Sequence, residues 1–291
     1  GNFLLTIFTV PKAFEGKIDL IQQNAIASWK RLGSDVRIFI CGDENGIREI
    51  ARKFEVDHIS QVYRNGFGTP LLNDVFSKVE EKAEGNVLCF INTDVILMED
   101  FTKAVETIDK SKKQFLMIGE CHNVTIDSLL NFDDTSWKRD LQTLQQTAGK
   151  IRGKLAMDYF VFNRGLYQDV PQFAIGRARY DNWLVWKALK SNVDVIDASM
   201  SVNVIHQFHD YSHFPRGRRD MLKGPEAKAN QKLAGLSCFF HLFSLYDATH
   251  VLCSNHIRKR LFKHSFVRQF AIRLKLLIME NISELRDEPI Y

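Results

Sequence analysis

Four short segments of this 291-residue chain carry side chains whose types and spacing could do chemistry. The first is Val87-Leu-Cys-Phe-Ile-Asn-Thr-Asp-Val-Ile-Leu97, where Asn92 and Asp94 interrupt an otherwise apolar run. A carboxylate among Ile, Phe and Val is costly unless a cation or hydrogen bonds compensate it. At the carboxyl end of a parallel strand it would face the ligand crevice of an open α/β sheet. There it could hold Mg2+ or Mn2+ against a diphosphate, because hard cations prefer oxygen ligands. The bland alternative is an Asp that ends the strand at a turn.

The second segment is Val204-Ile-His-Gln-Phe-His-Asp-Tyr-Ser-His213, with three histidines beside Asp210. The preceding alternation predicts a strand and then a loop, from which one His could give the metal at Asp94 a nitrogen ligand. On a helix the three rings would face one way and suggest zinc, but no HExxH accompanies them. The third segment is Ile175-Gly-Arg-Ala-Arg-Tyr-Asp-Asn-Trp183. Gly176 permits a tight bend, and Asp181 stands at the start of an amphipathic helix. The helix dipole would keep this carboxylate ionised, as a general base requires; an N-cap is the commoner role for Asp there. The fourth is Asn65-Gly-Phe-Gly-Thr-Pro-Leu-Leu-Asn73. Two glycines before a helix suit backbone approach to a phosphate or ribose. Thr69-Pro70 also reads as an N-cap followed by the first helical residue. The segment is neither a Walker A loop nor a dinucleotide fingerprint.

These residues need elements to position them, and the first half of the chain supplies a regular alternation. Residues 3–10, 36–41 and 87–91 read as strands, and 18–32, 47–54 and 71–83 as helices. That order argues for a mainly parallel sheet covered by helices on both faces. Farther on, 115–119, 159–162, 193–196 and 202–205 read as strands and 181–189 as a helix. Between them, 121–154 is polar, with Asp133-Asp134 and a Gln/Thr-rich helix candidate, and reads as a surface insertion, with a loop or lid over a site as the alternative. Residues 214–230, rich in Arg, Lys, Gly and Pro, mark a boundary. The expected organisation is one α/β domain over 1–230 and a helical C-terminal extension over 231–291.

Hydrophobic residues make up 45% and charged residues 25%, the balance of a globular protein with a sizeable core. The net charge of +4 suits an anionic substrate or membrane surface without demanding either. No nucleic-acid partner is expected. The five cysteines form no CxxC pair, which argues against a disulfide framework or zinc cluster and for a reducing, cytoplasmic setting. No signal peptide and no bilayer-spanning run is visible. Residues 257–278 hold seven Lys and Arg among Leu, Phe and Ile. Such a stretch is a candidate for peripheral membrane contact; a helix packed on the domain or in a homo-oligomer is the competing account.

In this order the segments resemble the GT-A glycosyltransferases, a nucleotide-diphosphosugar transferase superfamily. The matching pieces are Asn92-Thr93-Asp94, Gly176 to Asp181, and His206 or a neighbour. The run 205–213, with Phe67-Gly-Thr-Pro70 and Asp158-Tyr-Phe-Val-Phe162, looks like a poorly characterised subgroup. The resemblance covers about residues 3–213. It implies a GT-A, Rossmann-like sheet and a hexosyltransferase-like, metal-dependent transfer from a nucleotide sugar to a glycan or other hydroxyl acceptor. Asp94 and His206 would bind Mn2+ or Mg2+, and Asp181 would be the base of an inverting reaction. Thr9 and Pro11 would border the nucleobase, Asp43 would contact base or ribose, and Asp158 would lie near the donor sugar or acceptor. Asn65 and Asn92 would complete the donor site. Two departures stand out: the first acidic position of the motif is Asn92, and the catalytic acidic pair is reduced to Tyr180-Asp181. The competing functions are a degenerate transferase that only binds a glycan or partner, a sugar-phosphate nucleotidyltransferase and a His-cluster metallohydrolase. The single Lys and Gly of Pro11-Lys-Ala-Phe-Glu-Gly16 argue against the nucleotidyltransferase.

Overall fold

The structure is a computed structural model that describes residues 4–209 and 218–260, and Leu274. In chain order the elements of the first half are β1 (Leu5–Thr9), α1 (Gly16–Trp29), β2 (Val36–Cys41), α2 (Ile47–Phe54), β3 (Asp57–Ile59), α3 (Leu72–Lys82), β4 (Val87–Ile91), β5 (Val95–Ile96), α4 (Glu99–Ser111) and β6 (Phe115–Ile118). There follow β7 (His122–Val124), α5 (Trp137–Ala148), β8 (Lys150–Ile151), β9 (Tyr159–Asn163), α6 (Tyr180–Lys190), β10 (Asp194–Asp197), β11 (Ile205–Gln207), α7 (Arg218–Lys223), α8 (Pro225–Phe240), β12 (His250–Cys253) and β13 (His256–Lys259).

Among the described residues, nine strands form the main sheet in the order β13-β12-β10-β6-β9-β4-β1-β2-β3. All run parallel except β9 and β13. This is the mainly parallel, helix-covered architecture that the alternation predicts. The central strands are apolar on both faces because each face meets helices. In β4, Leu88 and Phe90 point to the layer of α3 and α6, while Val87, Cys89 and Ile91 point to the layer of α1, α2 and α4.

Two features decide where the site falls. First, β9 is antiparallel to β4, with Ile91 paired to Tyr159. Its first residue therefore lies at the edge where β4 ends, and Asp158 arrives beside Asn92. Second, a small sheet, β5-β11-β7-β8, stands outside that edge. In it His206 pairs with Val95 and Asn123 with His206. The insertion at 121–154 supplies β7, β8 and α5, so it is part of the site's framework as well as surface.

Helix α1 turns several polar side chains inward to hold this arrangement. Gln22, Asn24 and Ser28 are buried. Asn24 donates to Gln207 Oε1 at 3.0 Å, Gln207 donates to the Ile21 carbonyl at 2.8 Å, and Ser28 Oγ accepts from the Leu97 amide at 3.2 Å. Trp29 Nε1 donates to the Val95 carbonyl at 2.9 Å.

The C-terminal part corrects the expectation of a wholly helical extension over 231–291. The helix ends at Phe240, and 250–259 returns to the main sheet as the β12–β13 hairpin, with β12 parallel to β10. Val251 and Leu252 are buried there, so this segment forms part of the core. The basic stretch beyond Arg260 lies outside the described residues, as does His213. Helix α3 starts at Leu72 with Leu71 at its N-cap. Thr69-Pro70 therefore do not cap it; Pro70 is bridged to Arg64 instead. Among the described residues no helix is long and apolar enough to cross a membrane.

Candidate functional site

Asp94 follows β4 by three residues and precedes β5 by one. Its side chain is only 17% exposed. His209 Nε2 lies 2.9 Å and His206 Nε2 3.2 Å from its Oδ2. Its Oδ1 is buried with no hydrogen-bond partner among the described residues. Burial pushes the Asp94 pKa up, but the charge of His206 and hydrogen bonds from both imidazoles outweigh this and hold it well below the usual carboxylate range. The ligating atoms of Asp94, His206 and His209 all lie within 4.8 Å of one another. One carboxylate and two imidazoles, with one carboxylate oxygen left over, form a donor set for a divalent transition metal. Sequence reasoning chose His206; the structure adds His209, which sits just past β11 where periodicity gives no orientation.

Asp158 is 3% exposed. Asn92 donates to its Oδ1 at 3.0 Å, and the Asn92 amide donates to its carbonyl at 3.0 Å. Asn92 thus orients Asp158. Arg152, just past β8, places Nε 2.9 Å from Asp158 Oδ2. Its Nη1 is 3.1 Å from Asn123 Oδ1 and 3.1 Å from His206 Nδ1. Arg152 was not foreseen: a lone Arg in a polar insertion carries no signal until β7, β8 and β11 pair.

The end of β1 closes the crevice on the other side. The buried Thr9 hydroxyl donates to the Ile91 carbonyl at 2.6 Å and lies 2.7 Å from the Thr93 hydroxyl, tying β1 to the turn that carries Asp94. Pro11 is buried. The backbone of Lys12 is clamped by Gln22, whose Oε1 accepts its amide at 2.7 Å and whose Nε2 donates to its carbonyl at 2.9 Å. The Lys12 ammonium is pushed below the ordinary lysine value, chiefly by desolvation; Asp94 opposes this and Arg177 adds to it.

Asp181 lies in the first turn of α6 and is half-buried. The cap position is Arg179, held at φ 90°, a left-handed conformation that costs a non-glycine residue. Asp181 Oδ1 accepts the Asn182 amide at 2.9 Å. Burial raises the Asp181 pKa above the ordinary value, with backbone hydrogen bonds and Arg179 opposing. The buried Tyr180 phenol is raised by burial first and then by Asp181, Asp158 and Asp94. The three carboxylates therefore stand within electrostatic reach of one ring.

Two other expected residues, Asn65 and Asp43, have partners within the protein. Asn65 Oδ1 accepts the Phe67 and Thr69 amides at 2.9 and 3.1 Å, and its Nδ2 donates to Glu226 at 2.7 Å. Glu226 also pairs with Arg177 at 2.7 Å. The glycine turn is thus strapped to α8 and to the Gly176 loop; the Leu71–Ala174 bridge completes the strap. Asp43 is exposed and pairs with Arg64.

No protein-family model matches the sequence, and no curated protein does. Solved structures do resemble it. Glucosyl-3-phosphoglycerate synthase from Mycobacterium tuberculosis, in complex with Mn2+, UDP and phosphoglyceric acid, is similar at a TM-score of 0.47 and 12% identity, over 80% of this chain and 79% of that one. S. aureus TarS is similar at a TM-score of 0.47 and 11% identity, over 79% of this chain; the chain spans 42% of that structure. A TarS complex with UDP-GlcNAc matches at a TM-score of 0.42 and 13% identity, over 70% of this chain and 56% of that one. At TM-scores of 0.42–0.47 and 11–13% identity, neither a function nor a residue role passes from these proteins to this chain.

Proposed function

We propose that this chain is a metal-dependent glycosyltransferase that moves a sugar from a nucleotide diphosphosugar to a hydroxyl acceptor. The observation that carries this reading is Asp94, set between two imidazoles at the carboxyl edge of a parallel sheet, with a buried carboxylate oxygen that no described residue satisfies. Crevices at that edge are where open α/β sheets bind ligands. Asp94, His206 and His209 would hold the cation, and the mixed oxygen and nitrogen set suits Mn2+ better than Mg2+. When bound, the cation supplies charge neutralisation for the diphosphate leaving group.

The chain's own residues do the rest. Lys12 brings positive charge to the same crevice, suited to an anionic donor. Asp158, held by Asn92 and Arg152, would shape the wall of the crevice near the donor sugar or acceptor. Asp181 takes the acceptor proton in an inverting transfer; its raised pKa makes it more basic than an exposed aspartate. Thr9 and Pro11 border the base.

The same donor set, two imidazoles and one carboxylate, favours one other reading, a metallohydrolase that ignores nucleotides. Thermal unfolding with nucleoside diphosphates and Mn2+ separates the two, since a ligand of the folded state raises its stability. We expect stabilisation by at least one nucleoside diphosphate, dependent on Mn2+ and absent in Asp94→Ala. Stabilisation by Zn2+ with indifference to every nucleotide would sink the transferase.

A further inference from the structure

We propose that the cleft between α5 and the small sheet is a second binding site, for a neutral saccharide, on the face of that sheet turned away from Asp94. The cleft has a volume of about 590 Å3, within the usual span of small-ligand sites, about 300–1,000 Å3. His122 of β7, Gln142, Gln145 and Gln146 of α5, Ile151 of β8, and Asn203 ahead of β11 line it.

The pleat of β7 puts this cleft behind the metal centre. Asn123 turns to Arg152, which also reaches His206. Its neighbour His122 must then turn to the other face. There it stands opposite Ile151 on one side and Ile205 on the other. Leu141 of α5 packs with Ile205 on that face, and Leu144 packs against the same cluster. The adjacent strip of the helix, Gln142, Gln145 and Gln146, has i, i+3 and i+4 spacing and so borders the cleft together. The walls are pinned by backbone bonds. The His122 amide donates to the Val204 carbonyl at 2.9 Å, and the Asn203 amide to Asp100 Oδ2 at 2.7 Å. The Gly149 amide closes the end of α5 on the Gln145 carbonyl at 2.9 Å.

The lining selects the ligand. Its four carboxamides each offer an acceptor and two donors. None of these four side chains makes a hydrogen bond among the described residues. His122 Nδ1 is buried and also has no partner among them. A polar atom shut away from water without a partner is costly, and a ligand hydroxyl would relieve it. Burial lowers the His122 pKa, with Glu120 opposing, which favours the neutral ring. A hydroxyl both donates and accepts, so it suits either tautomer of that ring. No Asp, Glu, Lys or Arg lines the cleft, so a bound ion would find no counter-charge there. An apolar ligand would leave the amides unpaired. A peptide needs pockets for its alternate side chains, and the only exposed large apolar side chain here is Ile151, at 62%. That side chain instead suits the C–H face of a sugar ring, whose hydroxyls the amides would take.

Calorimetric titration of the full chain with neutral tetrasaccharides tests this, using maltotetraose, cellotetraose, mannotetraose and chitotetraose in the presence of EDTA and without nucleotide. We expect at least one to bind and to shift the His122 imidazole nitrogen resonances. Gln142→Ala with Gln146→Ala should weaken that binding about tenfold, as expected for two lost hydrogen bonds, without changing the melting temperature, because both side chains are exposed. Ile151→Ser should weaken it by a smaller factor, and Asp94→Ala should leave it unchanged. Failure of all four sugars to bind would overturn the proposal. So would wild-type affinity in the double alanine variant, or loss of binding in Asp94→Ala, which would put the sugar in the metal crevice. Tighter binding of tetragalacturonate than of any neutral sugar would overturn the assignment of a neutral ligand. The assay uses neither donor nor metal, so its failure leaves the transferase reading untouched.

Discussion

Around Asp94 the polar groups are enclosed and one carboxylate oxygen is left over, whereas around Asn65 the polar side chains bind one another. Both rims interrupt apolar sequence with Asn, Asp or Gly, and both suggest ligand contact. Their difference is hydrogen-bond capacity. Asn65 has its oxygen on two backbone amides and its amide on Glu226, so it works as a strut between the glycine turn and α8. Asp94 keeps a buried acceptor that no described residue satisfies, a costly state that a bound cation would relieve. Residual capacity in a closed setting is the better sign of a ligand.

The largest test breaks the first rim. Asp94→Ala should abolish the rise in melting temperature that Mn2+ gives and lower turnover about a thousandfold; a full Mn2+ response in that variant would move the metal elsewhere. Next comes Asp181→Asn, expected to lower kcat by about a hundredfold or more with donor affinity preserved. The same variant has a stability signature. The folded pKa of Asp181 is raised, so its charged form is penalised. No penalty exists below the ordinary aspartate range, and it grows as pH rises through the raised value. Melting temperature followed against pH should show the Asn variant gaining on the wild type toward neutrality; parallel curves would mean that this charge is not desolvated.

Smaller effects belong to the second rim. Asn65→Ala removes three hydrogen bonds and leaves Glu226 and two amides short of a partner. It should cost about 1–3 kcal/mol in denaturant unfolding, with nucleotide affinity unchanged; a specific loss of affinity would restore Asn65 to the donor site. The smallest is Asp43→Ala. It deletes an exposed ion pair to Arg64, worth less than about 1 kcal/mol. Calorimetric titration with nucleotide checks it, and a tenfold weaker affinity would return Asp43 to the base or ribose.

Much of the main sheet was legible because its strands are continuous apolar runs and its helices have clear faces. The strands at 36–41 and 87–91 and the helix at 47–54 fall where the pattern sets them. Strands of two or three residues, such as β5, β7 and β8, are too short to show a period. The hairpin of β12 and β13 was hidden for another reason: its basic residues continue into a stretch of helical spacing, and only pairing to β10 makes it strand. Within α1, Gln22 and Asn24 look like an outer face, yet both are buried as clamps on Lys12 and Gln207.

The sequence by itself determined the layered α/β architecture, because burial on two sides demands apolar strands and amphipathic helices that composition makes visible. It also singled out Asp94, since a carboxylate in an apolar run is expensive wherever it lies. Only the tertiary structure decided which groups surround that carboxylate. His206 and His209 lie more than a hundred residues away from it and reach it through the pairing of β11 with β5, while Asp158 arrives because β9 runs against β4. Register between distant strands depends on packing across the whole sheet, and no local pattern records it.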